Sequence, residues 1–454
     1  MTPSRWVDDA NAALLTDLYE LTMLQAYWKE KMTEEAVFSL FTRKLPSNRN
    51  YLITAGLDDV LHFLENCTFP QDYLDYLNTQ GLFSEDFLDR LSRFRFEGDV
   101  YAMPEGTPFF ADEPVLEVVA PIFQAQLVET FAMNQIHFQS VLASKASRVA
   151  FAARGGKVVD FGLRRMSGTD AGLKSARAFH IAGVNATSNV LAGYVYGAAI
   201  TGTMAHSYIQ AHDTEMDAFR AFARLYPSTV LLVDTYDTLE GVRKVVRLAE
   251  ELGEGFTVRG IRLDSGDLAE LAVQSREILD AAGLTEVSIF VSGSLDEFAI
   301  AEIVAKDVPV SGFGVGTKMG VSEDNPSLDM AYKLTAYAGK GRLKTSSGKR
   351  ILPGKKQVFR VEEHGRAAYD ILAGEEESHP GRPLLRKVME RGKRLPDGRV
   401  GLDESRDLCR KELEAMPERI RAIAPAEPPY EVRISPELKR KQSEVIARVE
   451  SESA

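Results

Sequence analysis

Two cysteines, Cys67 and Cys409, in 454 residues leave no material for a disulfide framework, and no Cys/His spacing resembles a zinc site. A reducing compartment is expected. No apolar run approaches the roughly 18 residues that read as a membrane span. The N-terminus carries Asp8 and Asp9 where a signal peptide needs an apolar stretch, so the expectation is a cytoplasmic protein with no membrane partner. Positive charge is in deficit, with 54 Lys and Arg against 66 Asp and Glu and a net charge of -12. That balance argues against a nucleic-acid binder, although local arginine clusters can still hold an anionic ligand. With 44% apolar residues, 34 Gly and 19 Pro, the composition excludes collagen-like, disordered and coiled-coil classes. What remains is a globular chain of about three domains, at roughly 150 residues each.

The first hundred residues read as mainly helical, with Leu14, Leu15, Leu18, Leu21, Thr22 and Gln25 on one face of a helix. A strand is expected from Glu35 to Phe41, and short extended runs broken by Pro104, Pro108, Pro114 and Pro121 predict a small β structure from Phe96 to Ile122. Between Val158 and Gly316 the pattern changes to short apolar runs that end in polar or Gly-rich motifs and then give way to helical stretches. Seven such βα units begin near Val158, Val184, Ala199, Val230, Gly260, Ile289 and Gly312. Consecutive units of this kind build a parallel barrel or a doubly wound sheet, with the site at the strands' C-terminal ends. After Tyr337 the chain turns basic, from Lys340 through Lys349 and Arg350 to Lys356, which reads as a solvated hairpin, with phosphate contact by its lysines the alternative. A strand at Val358, Phe359 and Val361 and a charged terminal helix follow. These changes divide the chain at 1-140, 141-337 and 338-454.

The polar strand ends carry the chemistry. His206, in Gly202-Thr203-Met204-Ala205-His206-Ser207, stands where a strand yields to a helix, whose first N–H groups suit a phosphate. It reads as a nucleophilic or phosphate-accepting histidine, or else as a capping residue. Asp234, at the next strand end, could bind one ring nitrogen and leave the other nucleophilic, or could cap a helix. Arg164, Arg165 and Arg262 could bring three guanidinium groups to one mouth, which suits a polyphosphate; pairing with strand-end carboxylates such as Asp264 is the alternative. Ser292-Gly293-Ser294 and Gly314-Val315-Gly316-Thr317 close the last two units, the usual place of a barrel phosphate cradle. Asp264 could hold ribose hydroxyls or water on Mg2+. Asp267 reads as a helix cap. Phe161 could stack on a flat heterocycle, or fill the core.

Taken in order, Thr16-Asp17-Leu18-Tyr19-Glu20-Leu21-Thr22-Met23, Phe161-Gly162-Leu163-Arg164-Arg165, the His206 motif, Val233-Asp234-Thr235-Tyr236-Asp237 and Arg262-Leu263-Asp264-Ser265-Gly266-Asp267 closely resemble the nicotinate phosphoribosyltransferase family. Leu352-Pro353-Gly354-Lys355-Lys356-Gln357-Val358 resembles its C-terminal segment. The resemblance implies an irregular parallel α/β barrel of the type II phosphoribosyltransferase kind beside an α+β domain built from both termini. It implies nicotinate, phosphoribosyl pyrophosphate and ATP as substrates, with Mg2+ carried by substrate phosphates and no direct protein ligand. His206 matches the phosphorylated histidine and Asp234 its orienting carboxylate. Tyr19 and Phe161 would sandwich the pyridine, with Tyr19 supplied across a homodimer interface. Arg164 and Arg262 would hold phosphate or carboxylate, Asp264 the ribose, and Gly293, Ser294, Gly316 and Thr317 the 5′-phosphate.

The nearest rival is the nicotinamide-specific relative, whose amide-binding Asp matches Ser188 here; a missing carboxylate at that position favours the acid. A Schiff-base aldolase using Lys318 and a non-enzymatic nucleotide sensor are further alternatives from other classes.

Overall fold

The computed structural model describes residues 6–345 and 351–453 and divides the chain into two compact units, 142–326 and the two flanking segments together. Part of the expected basic hairpin, Lys349 and Arg350, lies outside the described residues.

The inner unit is the βα region. Its strands are β1 (Lys157–Asp160), β2 (Ala186–Thr187), β3 (Val230–Leu232), β4 (Gly260–Leu263), β5 (Ser288–Ser292) and β6 (Gly312–Val315). All pair in parallel in the order β2-β1-β6-β5-β4-β3, and a parallel bridge from Thr187 to Ile200 extends the β2 edge. All seven expected strand positions are therefore present, one as a single bridge. Because β1 lies beside β6, the first strand meets the last. A doubly wound sheet starts in the middle and reverses, so that alternative is excluded. The chain instead winds once, giving a curled parallel sheet with a seam between Ile200 and β3, where no ladder is formed among the described residues. Strands buried on both faces explain the near-continuous apolar runs. Several helices behind the strands start on side-chain caps: Asn189, Thr214, Asp237, Asp267 and Asp296 each accept a backbone N–H of the following turn. Asp267 thus has its expected role, and Asp237 rather than Asp234 caps the helix after β3.

The outer unit is built on a mixed-length antiparallel sheet in which Glu35–Thr42 is central, between Met330–Tyr337 and Pro114–Pro121. That pairing draws Met330–Tyr337 away from the βα region, so the chain leaves the inner unit before the boundary expected at 337. Helices Leu18–Lys29, Leu57–Asn66 and Glu85–Ser92 bury Leu24, Leu61, Phe87 and Leu91 in one apolar core with Leu40 and Leu116. The first helix turns differently from expectation: Glu20, Leu21 and Leu24 are its buried residues, and Leu18 is exposed. A second sheet pairs Lys356–Glu363 with Arg366–Gly374, and a terminal helix spans Pro436–Ser453.

The lysines of the 352–358 segment are not a solvated hairpin. Lys356 is buried, 3.1 Å from Glu117, and donates to Ser39 at 2.9 Å and to the Gly354 carbonyl at 2.6 Å. Lys355 pairs with Glu375 and lies 3.3 Å from the Tyr101 ring centroid. A neutralised, buried ammonium is structural and holds two strands together. Among the described residues no helix is long and apolar enough to cross a membrane.

Candidate active site

Every candidate residue except Tyr19 sits at the C-terminal end of an inner-unit strand or in the loop that follows. Parallel pairing puts those ends on one edge, and the register makes them neighbours: Leu232 lies beside Arg262, Ser292 beside Gly314, and Val315 beside Asp160. They open into a cavity of about 840 Å³ lined by Phe161, Arg164, Ser188, His206, Arg262, Asp264, Gly293, Ser294, Gly316 and Thr317, among others. Ten of the expected residues therefore share one concave surface. Tyr19, half exposed on helix Leu18–Lys29 of the outer unit, and Asp234 do not line it.

The floor is aromatic. A Cβ at Gly314 would lie 2.6 Å from the Phe161 ring, so only glycine leaves room for that ring. Phe290 supports it from 6.0 Å, centroid to centroid. The loop carrying Phe161 is fastened by buried Asp160, which accepts the Gly162 amide at 2.8 Å and the Thr187 hydroxyl at 2.7 Å. Burial pushes that carboxyl's pKa up against both hydrogen bonds. The Ser188 amide donates to the Asp160 carbonyl at 2.9 Å, which holds Ser188 on the rim.

Arg262 lies with its guanidinium carbon 5.6 Å from the Phe161 ring centroid. It donates to the Thr203 hydroxyl at 3.2 Å and the Met204 carbonyl at 3.1 Å, both neutral acceptors, and its buried Nε has no partner. Desolvation lowers its pKa and Arg164 adds to this, with Asp264 and Asp234 opposing. An arginine stays protonated in any case, so the result is a poorly hydrated cation that faces a cavity with Asp264 and Asp234 nearby but no direct ion pair among the described residues.

His206 opens the short helix His206–Gln210. Its Nδ1 lies 3.2 Å from the Thr235 hydroxyl, and its Nε2 lies 3.8 Å from Asp264 Oδ2. The partner expected from the motif, Asp234, is engaged elsewhere: its Oδ2 accepts the Asp264 amide at 2.7 Å and the Ser265 hydroxyl at 2.9 Å, while buried Oδ1 has no partner. The cause lies in the backbone. The turn after β4 directs its first N–H at Asp234, so this carboxylate fixes Asp264 rather than touching the imidazole. Thr235 carries a signal readable in the sequence, a hydroxyl beside the strand-end carboxylate Asp234. Ser292, expected only as part of the phosphate cradle, is buried, and its hydroxyl donates to Asp264 Oδ1.

Opposite the histidine the backbone is shaped for close approach. Gly293 has φ +100°, and a Cβ there would lie 2.0 Å from the Asp264 carbonyl oxygen. Ser294 follows with φ +51°. Arg165 donates to the Thr317 hydroxyl at 3.1 Å. Lys318 forms a 2.7 Å ion pair with Asp296, and that hydrogen bond raises its pKa. A Schiff-base lysine needs the opposite shift, so the aldolase reading fails. Among the described residues no group of three or more His, Cys, Asp or Glu side chains could hold a metal ion.

Comparison with known proteins is consistent along the chain. Residues 14–137 match the model of the nicotinate phosphoribosyltransferase N-terminal domain, and residues 156–365 match that of the nicotinate phosphoribosyltransferase family. Nicotinate phosphoribosyltransferase pncB2 of Mycobacterium tuberculosis is 55% identical over 423 residues, covering 93% of this chain and 91% of the relative. The Bacillus subtilis nicotinate phosphoribosyltransferase is 38% identical over 361 residues, covering 78% and 74%. The crystal structure of human nicotinic acid phosphoribosyltransferase superposes with a TM-score of 0.83 at 28% identity, covering 95% of this chain and 99% of the other.

Proposed function

The chain belongs to the nicotinate phosphoribosyltransferase family, and we propose that it transfers phosphoribosyl from phosphoribosyl pyrophosphate to nicotinate in NAD salvage, with ATP hydrolysis coupled through phosphorylation of His206. One observation carries this reading: a guanidinium without a direct ion pair among the described residues, Arg262, 5.6 Å from the Phe161 ring centroid in an open cavity. A flat anion such as nicotinate satisfies both the ring and the charge.

In this reading Phe161 orients the pyridine ring and Arg164 and Arg262 hold carboxylate or phosphate. Asp264, fixed by Asp234 and Ser292, accepts from ribose hydroxyls. Gly293, Ser294, Gly316 and Thr317 receive the 5′-phosphate. As pyrophosphate leaves, the anomeric carbon becomes cationic and the pyridine nitrogen attacks in line, so positioning and charge stabilisation suffice and no general base is needed. The cavity's cations and Asp264 fit Mg2+ carried on substrate phosphates; when bound there it neutralises charge on the leaving pyrophosphate. Phosphorylating His206 adds roughly two negative charges at the mouth and changes affinity for anionic substrates.

Ser188 on the rim supplies no carboxylate to repel nicotinate, which favours the acid over nicotinamide. Homodimerisation with Tyr19 of the partner subunit completing the stack is supported by an unusually apolar surface next to Ser188: Val190, Leu191, Tyr194, Val195 and Ile200 are all at least half exposed. Two buried free cysteines suit the cytoplasmic location expected.

The test incubates the protein with phosphoribosyl pyrophosphate, Mg2+ and either nicotinate or nicotinamide, with and without ATP, and follows mononucleotide and ADP. Nicotinate mononucleotide formation stimulated by ATP is expected. His206→Ala should lose ATP turnover and keep a residual ATP-independent transfer; substrate-dependent ATP hydrolysis by that variant would move the phosphate acceptor elsewhere. Mixing Tyr19→Ala, impaired in nicotinate use, with His206→Ala, limited to ATP-independent transfer, should restore some ATP-stimulated synthesis, and no recovery despite subunit exchange would remove Tyr19 from the partner's site.

A further inference from the structure

Thr187 is a buried residue to which the reading above gives no task. It ends β2 directly before Ser188, and the parallel register sets it beside Asp160, which directly precedes Phe161. That ladder joins β1 and β2 over two residues and stops where the two loops begin. Side chains continue it. The Thr187 hydroxyl donates to Asp160 Oδ2 at 2.7 Å and accepts the Asn189 amide at 3.1 Å. On the floor of the cavity, the Phe161 amide donates to the Val315 carbonyl at 2.8 Å and the Gly162 amide to Asp160 Oδ1 at 2.8 Å. On the rim, the Ser188 amide donates to the Asp160 carbonyl at 2.9 Å. Asn189 accepts the Ala192 amide at 3.2 Å, capping helix Val190–Tyr196, and donates to the Gly172 carbonyl at 3.0 Å. The Thr187 peptide is fixed as well, its amide on the Ala199 carbonyl at 2.9 Å and its carbonyl on the Thr201 amide at 3.0 Å. Phe161 and Ser188 are thus each flanked by anchored residues, and one hydroxyl ties the two sets of anchors together. A carboxylate buried as fully as Asp160 needs its oxygens satisfied, and Thr187 supplies the half of that demand that reaches across to the rim.

We propose that Thr187 is a positioning residue for the pyridine substrate: through Asp160 its hydroxyl sets the Phe161 loop against the Ser188 loop, and so fixes the gap between the stacking ring and the position that selects the acid. This rests on the reading that Phe161 stacks on the pyridine and Ser188 lies at its substituent. Thr187 itself touches no substrate. Removing its hydroxyl leaves Asp160 Oδ2 in a buried site without its donor, and the carboxylate that also grips Gly162 is then free to shift. The residues read as the 5′-phosphate cradle, Gly293, Ser294, Gly316 and Thr317, follow β5 and β6 and make no hydrogen bond with Thr187 among the described residues. The effect therefore falls on the pyridine substrate and spares phosphoribosyl pyrophosphate.

The experiment measures KM for nicotinate and KM for phosphoribosyl pyrophosphate, with ATP and Mg2+ saturating, in wild type, Thr187→Val, Thr187→Ser and Phe161→Ala, as full chains with melting temperatures checked. Thr187→Val keeps the shape and removes the hydroxyl. It should raise KM for nicotinate roughly 5- to 30-fold, the scale of one lost hydrogen bond to a buried charged group, and leave KM for phosphoribosyl pyrophosphate unchanged. Thr187→Ser restores the hydroxyl and should recover most of the loss. If Thr187→Val does not fold, Thr187→Cys, whose thiol is only a weak donor, takes its place with the same expected split. A merely structural Thr187 would lower the melting temperature and leave KM for nicotinate as in wild type; that result, an equal rise in both KM values, or a serine that fails to rescue overturns the proposal. Phe161→Ala separates the two levels. An unchanged KM for nicotinate there overturns the stacking reading together with the proposal, whereas a raised KM there beside a normal Thr187→Val overturns the proposal alone.

Discussion

Arg360 in the outer unit and Arg262 in the inner unit are both withdrawn from water, and they are held in opposite ways. Arg360 donates through Nε and Nη2 to Asp370 at 3.0 and 2.7 Å, through Nη1 to Glu412 at 3.2 Å, and through Nη2 to the Pro108 carbonyl at 2.8 Å. Tyr430 adds a hydroxyl to Asp370 at 2.9 Å. Arg262 has neutral partners and a buried Nε with none. In one unit the fold neutralises its own charge; in the other the charge is kept for something the chain does not contain. An incompletely satisfied polar group is therefore the more informative sign of function, and a well-satisfied one is a sign of architecture.

The most direct way to break this comparison is to remove each charge. Arg262→Met should lower kcat/KM for nicotinate by roughly 100- to 1000-fold, the scale of losing a charge-stabilising donor in an active site, with little change in thermal stability. Arg360→Met strands buried Asp370 without its cation and leaves Glu412 to Arg382, so it should cost about 3–5 kcal/mol of stability while the folded fraction keeps its kcat/KM. Denaturant melts and initial rates on both variants decide it, and a swap of the two outcomes would end the distinction.

Ser188→Asp sharpens the inner-unit side. A carboxylate set beside nicotinate's own costs on the order of 1–4 kcal/mol, so kcat/KM for nicotinate should fall by roughly 10- to 1000-fold. Nicotinamide use should hold level or rise, because its amide can donate to the new group. An unchanged preference in a folded variant would assign acid selection to the arginines alone.

The smallest effect concerns Glu113, which is buried and raised well above the usual carboxyl range by desolvation and then by Asp370, with Arg360 opposing. Between its unfolded pKa and its raised folded pKa the native state binds more protons than the unfolded chain, so this group costs stability increasingly as pH rises through that window. Below the unfolded pKa the cost vanishes. Glu113→Gln should thus gain on wild type increasingly as pH rises above the ordinary carboxyl range, read as a growing difference in melting temperature. A difference constant with pH would show that Glu113 ionises normally.

Much of the inner unit is legible in the sequence because strands buried on both faces must be apolar and must stop where polar chemistry begins. Val158, Val230 and Ile289 announce their strands, and Phe161, Asp234 and Ser292 mark their ends. Contacts set by a distant backbone are not legible in this way. Nothing near Asp234 states that the turn after β4 will point an amide at it and leave His206 to Thr235. Lys356 reads as solvated because its partner Glu117 is 239 residues earlier. Glu20 escapes for a third reason, since hydrophobic periodicity assigns a carboxylate to the outside of a helix by default.

The seam in the parallel sheet bears on how such an enzyme resets itself between turnovers. His206 belongs to the stretch that leaves the Ile200 edge and must reach β3 at the opposite edge. Elsewhere around the winding, neighbouring strand ends are tied together by ladders, and a displaced loop would pull on them. At the seam there is no such tie to strain. Under the proposed phosphorylation, the residue that gains and loses roughly two charges per cycle is carried by a crossing whose rearrangement leaves the strand ladders of the described residues in place. What still joins that segment to the sheet is Arg262, through its bonds to Thr203 and Met204, so this side chain is the link by which the histidine's segment and β4 move together.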